Sequence, residues 1–234
     1  MKDLIEFVWR SLAGYVPVFA GLVAAPKRTI AARLAAEDDR LARAIGFTGV
    51  TVALGLLLQA PLAGADAAPA LGGLVAVKIV ALLAGAAVVL GAFRLVGGRG
   101  GYEDTLIAYL YVVSPLYLAL TLLRLMVVGV ISGQDPSLAR AVLIGGAGPA
   151  QWEALSAAAP TTAFAVAGMA LGQVALAFGW TGACWGAYRA IHGVTGLQAV
   201  LAFWISAAAF VLVLMPVWTL VVRGMHGGAV PAVQ

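Results

Sequence analysis

A chain of 234 residues that is 63% hydrophobic and only 10% charged has too little polar surface for a water-soluble fold, in which about 25% of residues are charged. Its net charge of +4 does not indicate a nucleic-acid-binding protein, because seven of the 14 Lys and Arg residues lie in the first 43 positions, where they indicate membrane orientation. The single cysteine, Cys184, excludes an intramolecular disulfide.

Residues 1–43 are predicted to form a helical segment at the cytoplasmic interface of the membrane. Polar and small residues recur at spacings of three and four from Asp3 to Gly21, so a helix here has one apolar face. A re-entrant or tilted span is the alternative, because 12–25 is apolar but short. Charged residues interrupt the first turn, so no cleaved signal peptide is expected.

After Pro26, the mixed-charge sequence is predicted to continue as one helix directly into the first membrane span. Its basic residues either belong to a solvated connector or contact anionic lipid. These residues are Lys27, Arg28 and Arg33.

Five apolar runs are long enough to cross a bilayer, whose hydrocarbon core takes about 20 helical residues. The runs are continuously apolar, which predicts an all-α polytopic bundle with five transmembrane helices. The predicted spans are 45–65, 71–95, 105–131, 161–188 and 197–222, and together they form a membrane domain over 44–234. Pro115 and Pro216 are expected to kink the third and fifth spans.

The loops predict the orientation of these spans, because cytoplasmic loops carry an excess of Lys and Arg. Ten basic residues fall on the side of the N-terminus and two on the opposite side. The sequence therefore predicts a multi-pass protein of a bacterial inner membrane, with a cytoplasmic N-terminus and a periplasmic C-terminus.

Lys78 and Arg124 are the charged residues that lie inside the predicted spans away from their ends. At about 1.5 Å per residue, both lie roughly 8–10 Å outside the bilayer midplane, at the same depth. Either each side chain snorkels to the outer headgroups, or both face an outward-facing cavity that binds an anion such as a lipid phosphate.

A glycine-rich loop follows the second predicted span. Its residues are Gly97, Gly98, Arg99, Gly100 and Gly101. Its backbone N–H groups could approach a phosphate, but the loop lacks the Lys-Ser/Thr ending of a P-loop and no strand precedes it. A tight cytoplasmic turn that caps the second span is the prediction we adopt.

The outer segment 133–160 contains two prolines, Pro136 and Pro149, each at a position where a helix can begin. We therefore predict short helices at about 136–144 and 149–158.

The fourth predicted span carries a stripe of small residues that permits close helix packing, inside the bundle or between subunits. Its glycines are Gly168, Gly172, Gly179 and Gly186. Trp180, Trp185 and Tyr188 on the same span are interpreted as aromatic anchors at the membrane interface.

Catalytic motifs are not found in the sequence. Its two histidines, His192 and His226, have neither the spacing nor the acidic partners of a metal site. His192 is interpreted as a polar group at the interface. We therefore expect no catalytic residues, no metal and no cofactor.

Three segments resemble the Yip1 family of small multi-span membrane proteins. They are APKRTI at Ala25–Ile30, GGRGGYEDTLIAYLYVVSP at Gly97–Pro115 and WGAYRAIHGVTGLQAVLAFW at Trp185–Trp204. The resemblance implies a cytoplasmic N-terminal segment and five spans, whereas the long outer segment 133–160 departs from it. Eukaryotic members of the family engage small GTPases, but the alanine, glycine and arginine richness here suggests a bacterial protein, so that partner is not carried over.

The leading functional hypothesis is a non-enzymatic membrane protein that organises membrane or serves as an accessory subunit of an envelope complex. Its expected partners are membrane lipids and other membrane subunits or a second copy of the chain. The alternative is a lipid- or anion-handling protein that uses Lys78 and Arg124 in an outward-facing cavity. No nucleic-acid partner is expected.

Overall fold

The computed structural model describes the backbone of residues 2–36, 39–63, 68–144, 148–214 and 216, and side chains within 12–36, 39–62, 79–143, 148–213 and 216. Over these ranges the regular structure is helical. The helices are α1 (Lys2–Ala24), α2 (Pro26–Leu34), α3 (Arg40–Ala63), α4 (Ala68–Leu95), α5 (Tyr102–Ser132), α6 (Pro136–Ile144), α7 (Pro149–Ala158), α8 (Pro160–His192) and α9 (Gly196–Ala209), and α9 continues into a π-helical turn at Phe210–Leu214. The predicted all-α class is confirmed.

Among the residues described, four stretches of helix are long and apolar enough to cross a membrane. They are Arg40–Leu62, Tyr102–Ser132, Pro160–His192 and Gly196–Val213. The second predicted span coincides with α4, whose apolar part among the described side chains, Ile79–Leu95, is shorter than a span. The prediction of five spans therefore stays a prediction.

The principal core lies where α5 meets α3, α4, α8 and α9. Its largest fully buried side chains include Tyr111, Tyr188 and Phe93. A second, smaller core lies at the opposite end of α5, where α6 and α7 pack against α5 and α8 around Ile131 and Leu138. The bundle therefore has an aromatic core at one end and an aliphatic core at the other.

The N-terminal helix α1 packs against the membrane helix α3. Val18 and Leu22 are buried there, and the hydroxyl groups of Tyr15 and Thr51 are hydrogen-bonded at 3.1 Å. A hydrogen bond between two helices is favourable inside a membrane, where few other partners are present. The interfacial position predicted for α1 stays a prediction, and the side chains before Leu12 lie outside the described residues.

The predicted continuous helix from Pro26 into the first span is wrong. α2 ends at Leu34, and Asp39 has a positive φ of 52° before α3 begins. Arg40 holds the two helices at this break, since its guanidinium donates to the Leu34 carbonyl at 3.2 Å and pairs with Asp104 and Glu103 at 3.1 and 3.2 Å. These contacts satisfy the end of α2 and fix α3 beside the first turn of α5.

α2 is not a free solvated connector, because it packs against α8. Ile30 is fully buried in the principal core. The Lys27 side chain lies across Gly186 on α8, 2.6–3.0 Å from the position that a Cβ there would occupy.

The two prolines of the outer segment start helices as predicted, and both helix positions are confirmed. Asp135 precedes α6, and its carboxylate accepts hydrogen bonds from the Ser137 hydroxyl at 2.6 Å and the Leu138 N–H at 2.9 Å. These two donors hold the pKa of Asp135 below its ordinary value.

Acidification is expected to loosen α6. Because the folded-state pKa of Asp135 is depressed, its contribution is present above the pKa of the unfolded chain and is lost as the pH falls through the folded-state pKa. We expect faster hydrogen exchange of the α6 amides on going from about pH 5 to about pH 3, after correction for intrinsic rates. An Asp135→Asn variant should show a smaller change, and an equal change in both proteins would contradict the assignment.

Candidate functional site

A cavity of about 270 Å³ lies between α4, α5, α8 and α9. Its walls are almost entirely apolar and come from residues far apart in the chain, including Val89, Val113, Phe203 and Phe210. On the rim, Phe178 and Val211 are 44% and 54% exposed. The cavity therefore opens on the side of the bundle, on the surface that the apolar helices would present to lipid.

Two hydroxyl groups in the cavity wall have no hydrogen-bond partner within the described part of the chain. Tyr188 is 1% exposed and Ser206 is 3% exposed, and the oxygen of each is buried and unpaired. A buried polar group without a partner costs about 1–3 kcal/mol, so most such groups in proteins are satisfied. Two of them in one cavity wall indicate a place where a polar atom of a ligand is expected.

Aromatic side chains form the wall on the α8 side. The indole N–H of Trp185 donates to the Ala199 carbonyl at 2.5 Å, which fixes α8 to α9. The indole N–H of Trp180 donates to the Val112 carbonyl at 2.7 Å, in the turn of α5 where Pro115 provides no N–H.

The interpretation of Trp180, Trp185 and Tyr188 as interfacial anchors is wrong for the buried pair, Trp185 and Tyr188, and Trp180 is half-buried between helices. The reason is that an indole or phenol has an apolar body with a polar tip, which suits a membrane interface and a helix contact equally.

The glycine loop lies at the end of α4, next to this wall. Its predicted capping of α4 is confirmed. Gly97 has a φ of +92°, a conformation that glycine adopts without strain. The N–H of Gly98 donates to the Phe93 carbonyl at 2.7 Å, and that of Gly97 donates to the Arg94 carbonyl at 3.1 Å. This pair of bonds is a Schellman cap.

His192 is enclosed by the glycine loop, and we call this arrangement the glycine clasp (Gly97–Gly101 with His192). The imidazole stacks on Phe93 with ring centres 4.3 Å apart, and its Nε2 lies 3.2 Å from the Thr105 hydroxyl. The N–H of Arg99 donates to the His192 carbonyl at 3.1 Å. The interpretation of His192 as an interfacial group is wrong, because its side chain is 1% exposed.

Two glycines of the clasp, Gly98 and Gly100, are required because neighbouring atoms approach them closely. A Cβ at Gly100 would lie 2.7 Å from Nδ1 of His192, and a Cβ at Gly98 would lie 2.8 Å from the Phe93 carbonyl. Gly101 has open space around its Cβ position. The glycine richness of the loop, interpreted from sequence as turn formation alone, therefore also reflects packing on a distant histidine.

A second cavity, of about 450 Å³, lies outside the clasp and is lined by polar groups that include Arg99 and Gln198. Gln198 Nε2 donates to the Val96 carbonyl at 2.9 Å, and its side chain oxygen accepts from the Thr195 N–H. These bonds attach the start of α9 to the loop. Among the described residues there is no group of three His, Cys, Asp or Glu side chains able to hold a metal ion.

The predicted cation pair is not brought together by any described contact. Arg124 is exposed on α5 and lines neither of the two cavities, and the side chain of Lys78 lies outside the described residues. The anion-binding role of these two residues stays a prediction.

The small-residue stripe of α8 packs inside the bundle at Gly186, beneath Lys27. The Cβ positions of Gly168, Gly172 and Gly179 have no atom within 4 Å. The predicted packing within the bundle therefore holds at one end of α8, and the remaining stripe faces outward.

No family model, no curated protein and no solved structure matches the chain. The resemblance to the Yip1 family stays a prediction from the motifs.

Proposed function

We propose that this chain is a non-enzymatic, multi-span membrane protein that binds a membrane lipid in the cavity between α4, α5, α8 and α9. The observation that carries the proposal is the cavity itself, which is apolar, opens on the side of the bundle and has two unpaired hydroxyl groups in its wall. Ligand sites are concave and mostly apolar, with a few polar groups that fix orientation.

The buried polar groups of the clasp support a structural rather than a catalytic role for that end of the bundle. The Thr105 hydroxyl donates to the Gly101 carbonyl at 2.6 Å, so its proton is not free for His192 to remove. A nucleophile activated by histidine needs its hydroxyl directed at the base and accessible to substrate.

The membrane-organising or accessory role suggested by the Yip1-like motifs is compatible with lipid binding. The outward-facing part of the α8 stripe gives a partner helix or a second copy room for close approach. The proposal includes the predicted topology, with the N-terminus in the cytoplasm of a bacterial cell.

Filling the cavity is the direct test. Ala207 lines the cavity and its neighbour Ala208 is exposed outside it, so Ala207→Phe and Ala208→Phe form a matched pair. By native mass spectrometry after gentle extraction, we expect wild type and Ala208→Phe to retain stoichiometric lipid. Ala207→Phe should lose at least about tenfold in occupancy, because the phenyl ring occupies the ligand's volume.

Two other results would change the conclusion. Equal retention of lipid by Ala207→Phe and Ala208→Phe would contradict binding in this cavity. Loss of lipid in Lys78→Ala/Arg124→Ala with Ala207→Phe unchanged would support the alternative, an anion-handling site at the two cations.

A further inference from the structure

We infer that the cavity recognises the ester carbonyl of a diacyl membrane lipid, with the hydroxyl groups of Tyr188 and Ser206 as the donors. This inference rests on the proposed function and adds the chemistry of the ligand. It depends on three observations: the unpaired donors, the absence of charge among the residues that line the cavity, and the depth of the donors in the bundle.

The two donors belong to different helices and converge on one cavity. Tyr188 is on α8 and Ser206 is on α9, and neither oxygen has a hydrogen-bond partner among the residues that the structure describes. A hydroxyl group can donate one hydrogen bond, and a carbonyl oxygen has two lone pairs that can accept both. A hydrocarbon chain offers neither hydroxyl group a hydrogen-bond acceptor, whereas an ester carbonyl does.

The cavity wall is uncharged, so the part of the ligand that lies inside the cavity must be neutral. The residues that line the cavity include no Lys, Arg, Asp or Glu. An ionised phosphate or carboxylate in such an apolar wall would have no counter-charge, which is strongly unfavourable. The headgroup of the lipid must therefore lie outside the cavity, with the neutral ester and the start of the chain inside.

The depth of the hydroxyl groups agrees with an ester. α8 has 33 residues, so it is about 50 Å long against a hydrocarbon core of about 30 Å. With α8 centred in the bilayer, each end extends about 10 Å beyond the hydrocarbon. Tyr188 lies one turn, about 6 Å, from the end of α8 at His192, and Ser206 lies about 15 Å along α9 from Gly196.

The hydrocarbon boundary therefore falls between the two residues. The phenol of Tyr188 is directed back along the helix, toward Ser206, because helical side chains point to the N-terminus. The ester groups of diacyl lipids lie at this boundary, between the charged headgroup and the chains. An apolar molecule without a headgroup has nothing that keeps its carbonyl at this depth.

The test compares diester and diether forms of one phospholipid, with the same headgroup and chain length, added to delipidated full-length protein. Native mass spectrometry reports the ratio of bound forms. We expect wild type to prefer the diester by about five- to tenfold, the effect of two hydrogen bonds inside a membrane. The double variant Tyr188→Phe/Ser206→Ala should bind both forms equally.

A matched control makes the same chemical changes outside the cavity. Tyr102 donates to the Leu83 carbonyl and Ser137 to the Asp135 carboxylate, so Tyr102→Phe/Ser137→Ala should keep the wild-type preference. The cavity variant removes two oxygens for which no described residue is a hydrogen-bond partner, so its fold should be retained.

The outcomes separate the inference from the proposed function. Equal binding of diester and diether lipid by wild type would overturn the carbonyl assignment while leaving lipid binding intact. If Ala207→Phe loses lipid but wild type shows no preference for the diester, the carbonyl assignment is likewise overturned and lipid binding in the cavity stands. No lipid bound by wild type would overturn both, and a copurifying isoprenoid quinone in place of phospholipid would overturn the assignment to a diacyl lipid.

Discussion

Replacing Gly98 with alanine is expected to destabilise the bundle by about 1–3 kcal/mol, or to lower its thermal midpoint in detergent micelles by about 3–10 °C. The added Cβ would lie 2.8 Å from the Phe93 carbonyl and 3.0 Å from Cβ of His192. Neither neighbour is the free end of a flexible side chain, because the carbonyl belongs to the α4 backbone and accepts the Gly98 N–H at 2.7 Å. The loop or the end of α8 must therefore move.

Gly101→Ala is the matched control, in the same loop and with no atom within 4 Å of the added Cβ. Gly101 is the N-cap residue of α5, a position at which alanine is less favourable than glycine, so we expect a loss of about 0.5–1 kcal/mol, less than for Gly98→Ala. Equal destabilisation by the two substitutions would show that loop flexibility, and not packing on His192, sets the effect.

Replacing Phe93 with alanine should have the largest effect of any substitution considered, about 3–5 kcal/mol. Phe93 is fully buried, and its ring stacks on His192 at 4.3 Å, on Trp185 at 5.2 Å and on Tyr188 at 6.0 Å. Removing the ring leaves a cavity between α4 and α8 where three aromatic side chains lose contacts. The measurement is thermal unfolding of purified protein in micelles.

Phe164→Ala tests whether the loss comes from packing. Phe164 is on α8 and is 82% exposed, so the same chemical change should alter the midpoint little. A Phe93→Leu variant should recover part of the loss because leucine refills some of the volume. Similar midpoints for Phe93→Ala and Phe164→Ala would contradict the central role assigned to the Phe93 stack.

Local signals in the sequence were sufficient for most of the helices. Apolar runs predicted membrane helices at the positions of α3, α5, α8 and α9, and Pro136 marked the start of α6. The cap at Gly97 was also predictable, since a glycine after a helix provides the positive φ that ends it. Each of these features depends on neighbours in the chain.

The candidate site was not predictable in the same way, because its contacts join distant segments. The Thr105 and His192 side chains are 87 positions apart, and the Trp180 indole bonds to a carbonyl 68 positions away. Tyr188 near the end of an apolar run has the same sequence signature whether its hydroxyl meets lipid headgroups or a buried cavity. The sequence showed only that a polar group lies in an apolar run. It did not show which other helix that group faces.

The break at Asp39 shows a different limit. The sequence after Pro26 has the composition of a continuous helix, but the chain breaks before α3, where Arg40 pairs with Asp104 of α5. The two residues lie 64 positions apart, so no window of sequence contains both.

The π-helical turn at Phe210–Leu214 should allow the helix to lose one residue there without a change of orientation, which a uniform α-helix does not allow. A π-turn holds one more residue than an α-turn of similar rise, and each residue of an α-helix adds about 100° of rotation. Deleting one residue within this turn can restore regular α-helix and leaves the orientation of Phe203 and Ser206, which precede the turn, unchanged. A deletion at Ala202 would instead rotate these cavity-lining residues by about 100° relative to the helices they face.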